Sequence, residues 1–262
     1  MLMYLTVMAA ALLVAALTLF SGFGIGTLLM PVFAIFFPLE AAVAMTAVVH
    51  LSNNLFKLTL VGRYADWKIA VRFIIPGLVF SAFGAYLLTR MATSEPLYSY
   101  EFYGVRELTI LKLVVGLLML LFALLELSKR FDELSFPKKY LPLGGALSGF
   151  FGGLSGHQGA LRSAFLIRSI DDKTKFIGTG VVCSVAVDLS RVAVYGTLFF
   201  GGTLTTIVDS GGLNLISAAV LTAFLGSFIG SRLMKKVKMR YVRNLVGGML
   251  LVVALLLGSG LI

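Results

Sequence analysis

The chain has 262 residues, of which 59% are hydrophobic and only 13% charged, with a formal charge of +10 and a mean hydropathy of +0.99. A soluble domain carries roughly 25% charged residues, so this composition excludes a water-exposed globule. It predicts an all-α polytopic membrane protein, because helices satisfy their own backbone hydrogen bonds in lipid. The basic residues fall mainly in short loops between apolar blocks. That placement fits positive-inside orientation in a cell membrane rather than nucleic-acid binding.

Eight apolar blocks follow in order. The first, 2–36, opens on MLMYLTVMAAALLVAALTLF, which lacks a basic leader and is expected to belong to the mature fold. Gly22, Gly24, Gly26 and Pro31 then interrupt it. Blocks 41–62, 69–90 and 108–127 resemble ordinary spans, and Asp66-Trp67 before the third block suits an interfacial anchor. The fifth block, 141–168, is broken by GGLSGHQGALRS at 152–163. Blocks 176–200, 213–234 and 242–262 complete the set. Cys183 is the only cysteine, so an intramolecular disulfide is excluded.

Broken blocks at positions one and five point to a repeat. AVVHLSN (47–53) matches VAVDLSR (185–191), which places His50 opposite Asp188 and Asn53 opposite Arg191. Ser21-Gly22 matches Ser155-Gly156, and FSAFGAYL (80–87) matches GSFIGSRL (226–233). The expected division is an N-terminal repeat at 1–127, a linker at 128–140 and a C-terminal repeat at 141–262.

Charge decides how the broken blocks lie. If all eight blocks cross once, loop basic residues split thirteen against seven. If blocks one and five are re-entrant hairpins, loops 63–72, 129–139, 162–175 and 232–243 share one side and hold seventeen. The other side then keeps only Arg90, Arg106 and Lys112. The second arrangement fits positive-inside far better, with those four loops cytoplasmic. Each half becomes a broken hairpin plus three spans, an odd number of crossings, so the two halves are expected to be inverted repeats, a recurring transporter design.

Non-helical backbone at membrane depth must be buried in protein or line a cavity. The first amides of each half-helix lack intrahelical partners and favour negative charge. Two facing breaks would therefore form an anion site. The candidate binding residues are Ser21, Gly22, Gly24, Gly26, Asn53, Ser155, Gly156, His157, Gln158, Gly159, Arg162 and Arg191. Thr27 and Ser163 could add hydroxyls. Close helix packing is the competing explanation for the glycines and serines.

Asp188 and Arg191 lie three apart on one helical face, either as a structural ion pair or with Arg191 on an anion that Asp188 orients. His50 and Asp188 are the proton-coupling candidates, with polar packing equally compatible for His50. Lys57 is expected to snorkel toward the nearby loop. No Walker motif, dinucleotide fingerprint or metal cluster is present, so no cofactor or metal is expected. The sequence offers no convincing catalytic constellation, and the protein is expected not to be an enzyme.

SGFGIGTLLMP (21–31), the AxxxTAVVHLSNN helix (44–54), the second Gly-rich break and LSR (189–191) recur in the order of one family. With them the chain resembles the sulfite exporter TauE/SafE family of membrane transporters along essentially its whole length. The resemblance implies a secondary transporter of a small sulfur oxyanion or organosulfonate, such as sulfite or sulfoacetate. It would work by alternating access, driven by a proton gradient or the membrane potential. An anion channel and a carrier of non-sulfur carboxylates are the alternatives. The implied partners are the small anion and the lipid bilayer, with a homodimer left open. The family's second break is usually a glycine run before an apolar helix and proline. Here it is GHQGALRSAFL, whose His157, Gln158 and Arg162 mark it apart.

Overall fold

The computed structural model describes residues 1–18, 25–102, 104–128, 134–198, 203–233 and 239–262. Eleven α-helices are present among them: α1 (Leu2–Thr18), α2 (Ile25–Ala34), α3 (Leu39–Val61), α4 (Trp67–Ala92), α5 (Ile110–Leu127), α6 (Leu141–Ser155), α7 (Gly159–Leu166), α8 (Lys173–Leu198), α9 (Thr203–Asp209), α10 (Gly212–Leu233) and α11 (Met239–Gly258). The all-α membrane class predicted from composition is the class observed. Among the described residues, four helical segments are long and apolar enough to cross a membrane: Trp67–Ala92, Ile110–Leu127, Lys173–Thr197 and Gly212–Gly230. The apolar parts of α1 and α11 are shorter, Leu2–Leu17 and Arg243–Gly258. The expected span at 41–62 falls outside that set, and its helix α3 carries His50, Asn53, Asn54 and Lys57 on buried positions.

Local signals set several helix ends. Asp66 caps α4, its carboxylate accepting from the amides of Lys68 and Ile69, so it has a capping role beside the exposed Trp67. Thr109 caps α5 by accepting from the amide of Lys112. Gly156 ends α6 at φ 83°, a left-handed conformation that a side chain disfavours.

One feature was absent from the all-helical expectation. Strands β1 (Tyr98–Glu101) and β2 (Val105–Leu108) form an antiparallel ribbon between α4 and α5, turning at Gly104 with φ 112°. The alternation in YSYEFYGVREL encodes it, but the strands are short and sit outside the apolar blocks. The ribbon docks on the end of α11, where Tyr100 Oη donates to the Ser259 carbonyl at 2.5 Å and Arg106 to that of Leu261 at 3.0 Å.

The second broken block is a hairpin. α7 folds back beside α6, so that Gly144 abuts the Phe165 ring and Ser148 Oγ donates to the Gln158 carbonyl at 2.8 Å. α6 lies against α4 with almost no side-chain layer between them. A Cβ on Gly145, Gly149 or Gly153 would come within 2.1, 2.3 and 2.1 Å of the carbonyls of Phe73, Gly77 and Ser81. Small residues every fourth position permit this approach. α1 packs on α10 in the same manner, with Gly226 against the Leu12 carbonyl and Gly230 against that of Ala16.

The α3–α4 turn, the segment before α6, the end of α7 and the start of α11 gather at one end. The Asp66 amide donates to Thr179 Oγ1 at 2.9 Å, tying the α3–α4 turn to the start of α8. Phe136 stacks on Phe165, tying the segment before α6 to the end of α7. Glu126 at the end of α5 pairs with Arg243 at the start of α11. A satellite apolar cluster including Ile69, Phe73, Leu141, Phe165, Leu166 and Ile170 fills the space beneath these connections.

Candidate anion site at the meeting of two helix breaks

The breaks meet. A Cβ on Gly26, second residue of α2, would stand 2.9 Å from the Gly156 carbonyl, and one on Gly156 would stand 3.1 Å from the Gly26 carbonyl. Backbone touches backbone here, which only glycine permits on both sides. Gly156 ends α6 and α7 begins at Gly159, while α2 begins at Ile25. Ser21, Gly22 and Gly24 lie outside the described residues.

Behind the junction sits Asp188, fully buried on α8. Its Oδ1 accepts from Gln158 Nε2 at 2.8 Å and from Arg191 Nε at 3.0 Å, with Arg191 Nη2 at 2.8 Å. Its Oδ2 accepts from His50 Nδ1 at 2.7 Å and Asn54 Nδ2 at 2.9 Å. One carboxylate thus joins α3, the second break and α8. Four side chains supply its donors, the compensation a buried charge requires.

Arg191 is fully buried as well and reaches from Asp188 to the Gly152 carbonyl, which its Nη1 meets at 3.1 Å. Nη1 also lies 3.2 Å from where a Gly156 Cβ would be. The guanidinium therefore sits directly behind the break. Tyr195, one turn further along α8, donates to the Gly153 carbonyl.

Arg162 on α7 is buried and donates to Ser184 Oγ and to Gln158 Oε1, the latter at 3.3 Å. Gln158 thus links the two arginine regions, one end of its amide serving each. Asn53 is buried beside Ser227, whose Oγ lies 2.7 Å from its amide. With its oxygen turned toward Lys57, the Asn53 amide accepts from Nζ at 3.2 Å. Lys57 is only 7% exposed. That burial runs against the snorkelling expected for it.

Ser155 Oγ donates to the Phe151 carbonyl at 3.1 Å and meets His157 Nδ1 at 3.0 Å. The His157 ring stacks on Phe122 of α5, centroids 5.1 Å apart. Gly159 opens α7 and is buried, whereas Ser163 is only partly buried.

Of the candidate residues, the structure brings Gly26, Gly156, Gln158, Arg191, Asp188 and His50 into one contiguous cluster. Asn54 and Ser184 join this cluster through Asp188 and Arg162 and were missed; so was Glu126, which lies outside it, paired with Arg243. Asn54 lies four residues after His50, hence on the same face, which was a usable signal. Glu126 in LLFALLEL was legible as a carboxylate within an apolar run. Nothing in the local sequence singles out Ser184.

Fold and site together define a polytopic helical membrane protein whose helix breaks converge on a buried, arginine-bearing polar centre. The profile described as sulfite exporter TauE/SafE matches residues 7–257. The chain belongs to that family and is a multi-pass membrane transporter. No curated protein and no solved structure matches it.

Proposed function

We propose that the protein is a secondary carrier of a small sulfur oxyanion or organosulfonate, which binds where the two helix breaks meet and moves by alternating access of two inverted halves. The observation that carries this reading is the contact of Gly26 with Gly156 in front of Arg191. Half-helices α2 and α7 begin at that junction, so their first amides lack intrahelical partners there. A fixed guanidinium behind them adds a positive charge suited to oxyanions.

Paired packing supports the inverted halves. Exchanging α1 with α6 and α10 with α4 maps one tightly packed pair onto the other. Residues matched in the repeat also make matched contacts: Gly84 abuts the Phe150 carbonyl, as Gly230 abuts that of Ala16. The clustering of loops 63–72 and 162–175 and the segment 134–139 with the start of α11 supports placing that end in the cytoplasm.

Proteoliposomes test the reading directly. Uptake of labelled sulfite, thiosulfate, sulfoacetate, taurine and a carboxylate is measured against concentration, with counterflow from loaded vesicles. A sulfur anion that saturates and exchanges supports the carrier. Flux that rises linearly without counterflow makes the protein a channel, and preference for the carboxylate moves the substrate class.

A further inference from the structure

A second polar feature lies beside the junction, outside the Asp188 cluster. A small cavity of about 10 Å³ is lined by Thr27, Phe122, Glu126, His157, Ala160 and Leu250. That is on the order of one water. Thr27 and Ala160 are the third and second residues of α2 and α7, so the cavity abuts the half-helix ends where the anion is proposed to bind. His157 is 2% exposed. Its Nδ1 is engaged by Ser155, its ring is held by Phe122, and its Nε2 has no partner among the described residues. Glu126 is 5% exposed and uses Oε2 to accept from Arg243 Nε at 3.0 Å.

We propose that Glu126, with His157 facing it across this cavity, is the proton-carrying site that couples anion movement to the proton gradient. The inference rests on the transport reading above. Asp188 is poorly suited to the task, because protonating it would disrupt an oxygen set that already receives donors from four side chains. Glu126 and His157 both line the water-sized cavity, and His157 Nε2 has no hydrogen-bond partner among the described residues. A hydronium entering the cavity gives its proton to a Glu126 carboxylate oxygen and leaves as water. The carboxylate becomes a neutral acid and its attraction for Arg243 falls. The charged groups facing the site are Arg243 from α11 and Arg191 from α8, which lies within electrostatic range of His157; α2 contributes the uncharged Thr27. Removing the carboxylate's negative charge beside the junction favours the anion, so proton and anion bind cooperatively.

The test uses the full-length protein in proteoliposomes, with thiosulfate and sulfoacetate as probes. An inward proton gradient should raise wild-type net uptake roughly 5- to 150-fold, the range of an ordinary coupling free energy. Glu126→Gln keeps a partner for Arg243 and should keep wild-type counterflow while losing the response to the gradient. Glu126→Asp should retain part of that response. A Glu126→Gln variant that still follows the gradient overturns the proposal. So does one that inserts and stays monodisperse but loses counterflow, since Glu126 then acts in packing or binding. Wild-type vesicles with no saturable counterflow of either anion overturn the transport reading itself.

Discussion

His50 Nδ1 lies 2.7 Å from Asp188 Oδ2 across 138 residues of chain, joining α3 to α8 by a buried contact. In the proposed repeat these two residues hold matching positions. Asp188 holds α3, the second break and α8 together, so its loss leaves Arg191 buried without its carboxylate. Asp188→Ala should cost about 3–5 kcal/mol, as when one partner of a buried pair is removed. Unfolding in mixed detergent micelles measures this.

Glycine positions separate contact from mere composition. Gly149→Val and Gly153→Val would drive a side chain into a carbonyl 2.1–2.3 Å from the added Cβ. Both should prevent α4 and α6 from docking and abolish monodisperse protein on size exclusion. Gly196→Ala and Gly248→Ala meet nothing within 4 Å. Both lie inside helices and should be neutral or stabilising by up to about 1 kcal/mol.

Gly156→Ala combines a φ of 83° with a Cβ 3.1 Å from the Gly26 carbonyl. The left-handed conformation alone costs roughly 1–2 kcal/mol. The expected outcome is a protein that inserts and purifies but has lost most anion counterflow, because the break is displaced while the α4–α6 interface remains.

The proposed topology predicts labelling sides. In a Cys183→Ser background, single cysteines at Gly104 in the β-ribbon and at Asp171 between α7 and α8 should react with impermeant maleimide from opposite faces of oriented vesicles. Reaction from the same face contradicts the hairpin arrangement.

The sequence carried the architecture further than the chemistry. Glycine-rich interruptions in otherwise continuous apolar blocks mark the breaks because a helix at membrane depth has few other reasons to contain GGLSGHQGALRS. Matching HLSN with DLSR brought His50, Asp188 and Arg191 forward together. Which donor serves which oxygen was not legible. Gln158 reaches Asp188 only because the hairpin folds back, a tertiary event with no local signature. Glu126 and Arg243 are 117 residues apart on helices whose apolar faces do not specify their neighbour. The β-ribbon was hidden for another reason: it forms in a polar connection, where hydropathy carries no information.

The Arg191 guanidinium bonds Asp188 and the Gly152 carbonyl, and in the proposed function it also binds the anion. Counterflow of labelled sulfite and sulfoacetate should be compared in proteoliposomes holding equal amounts of inserted wild type, Arg191→Lys and Arg191→Ala. The expected outcome is saturable exchange for wild type, at least about tenfold loss for Arg191→Lys, equivalent to about 1.4 kcal/mol, and none for Arg191→Ala. Exchange at the wild-type rate in an inserted Arg191→Ala protein would contradict it.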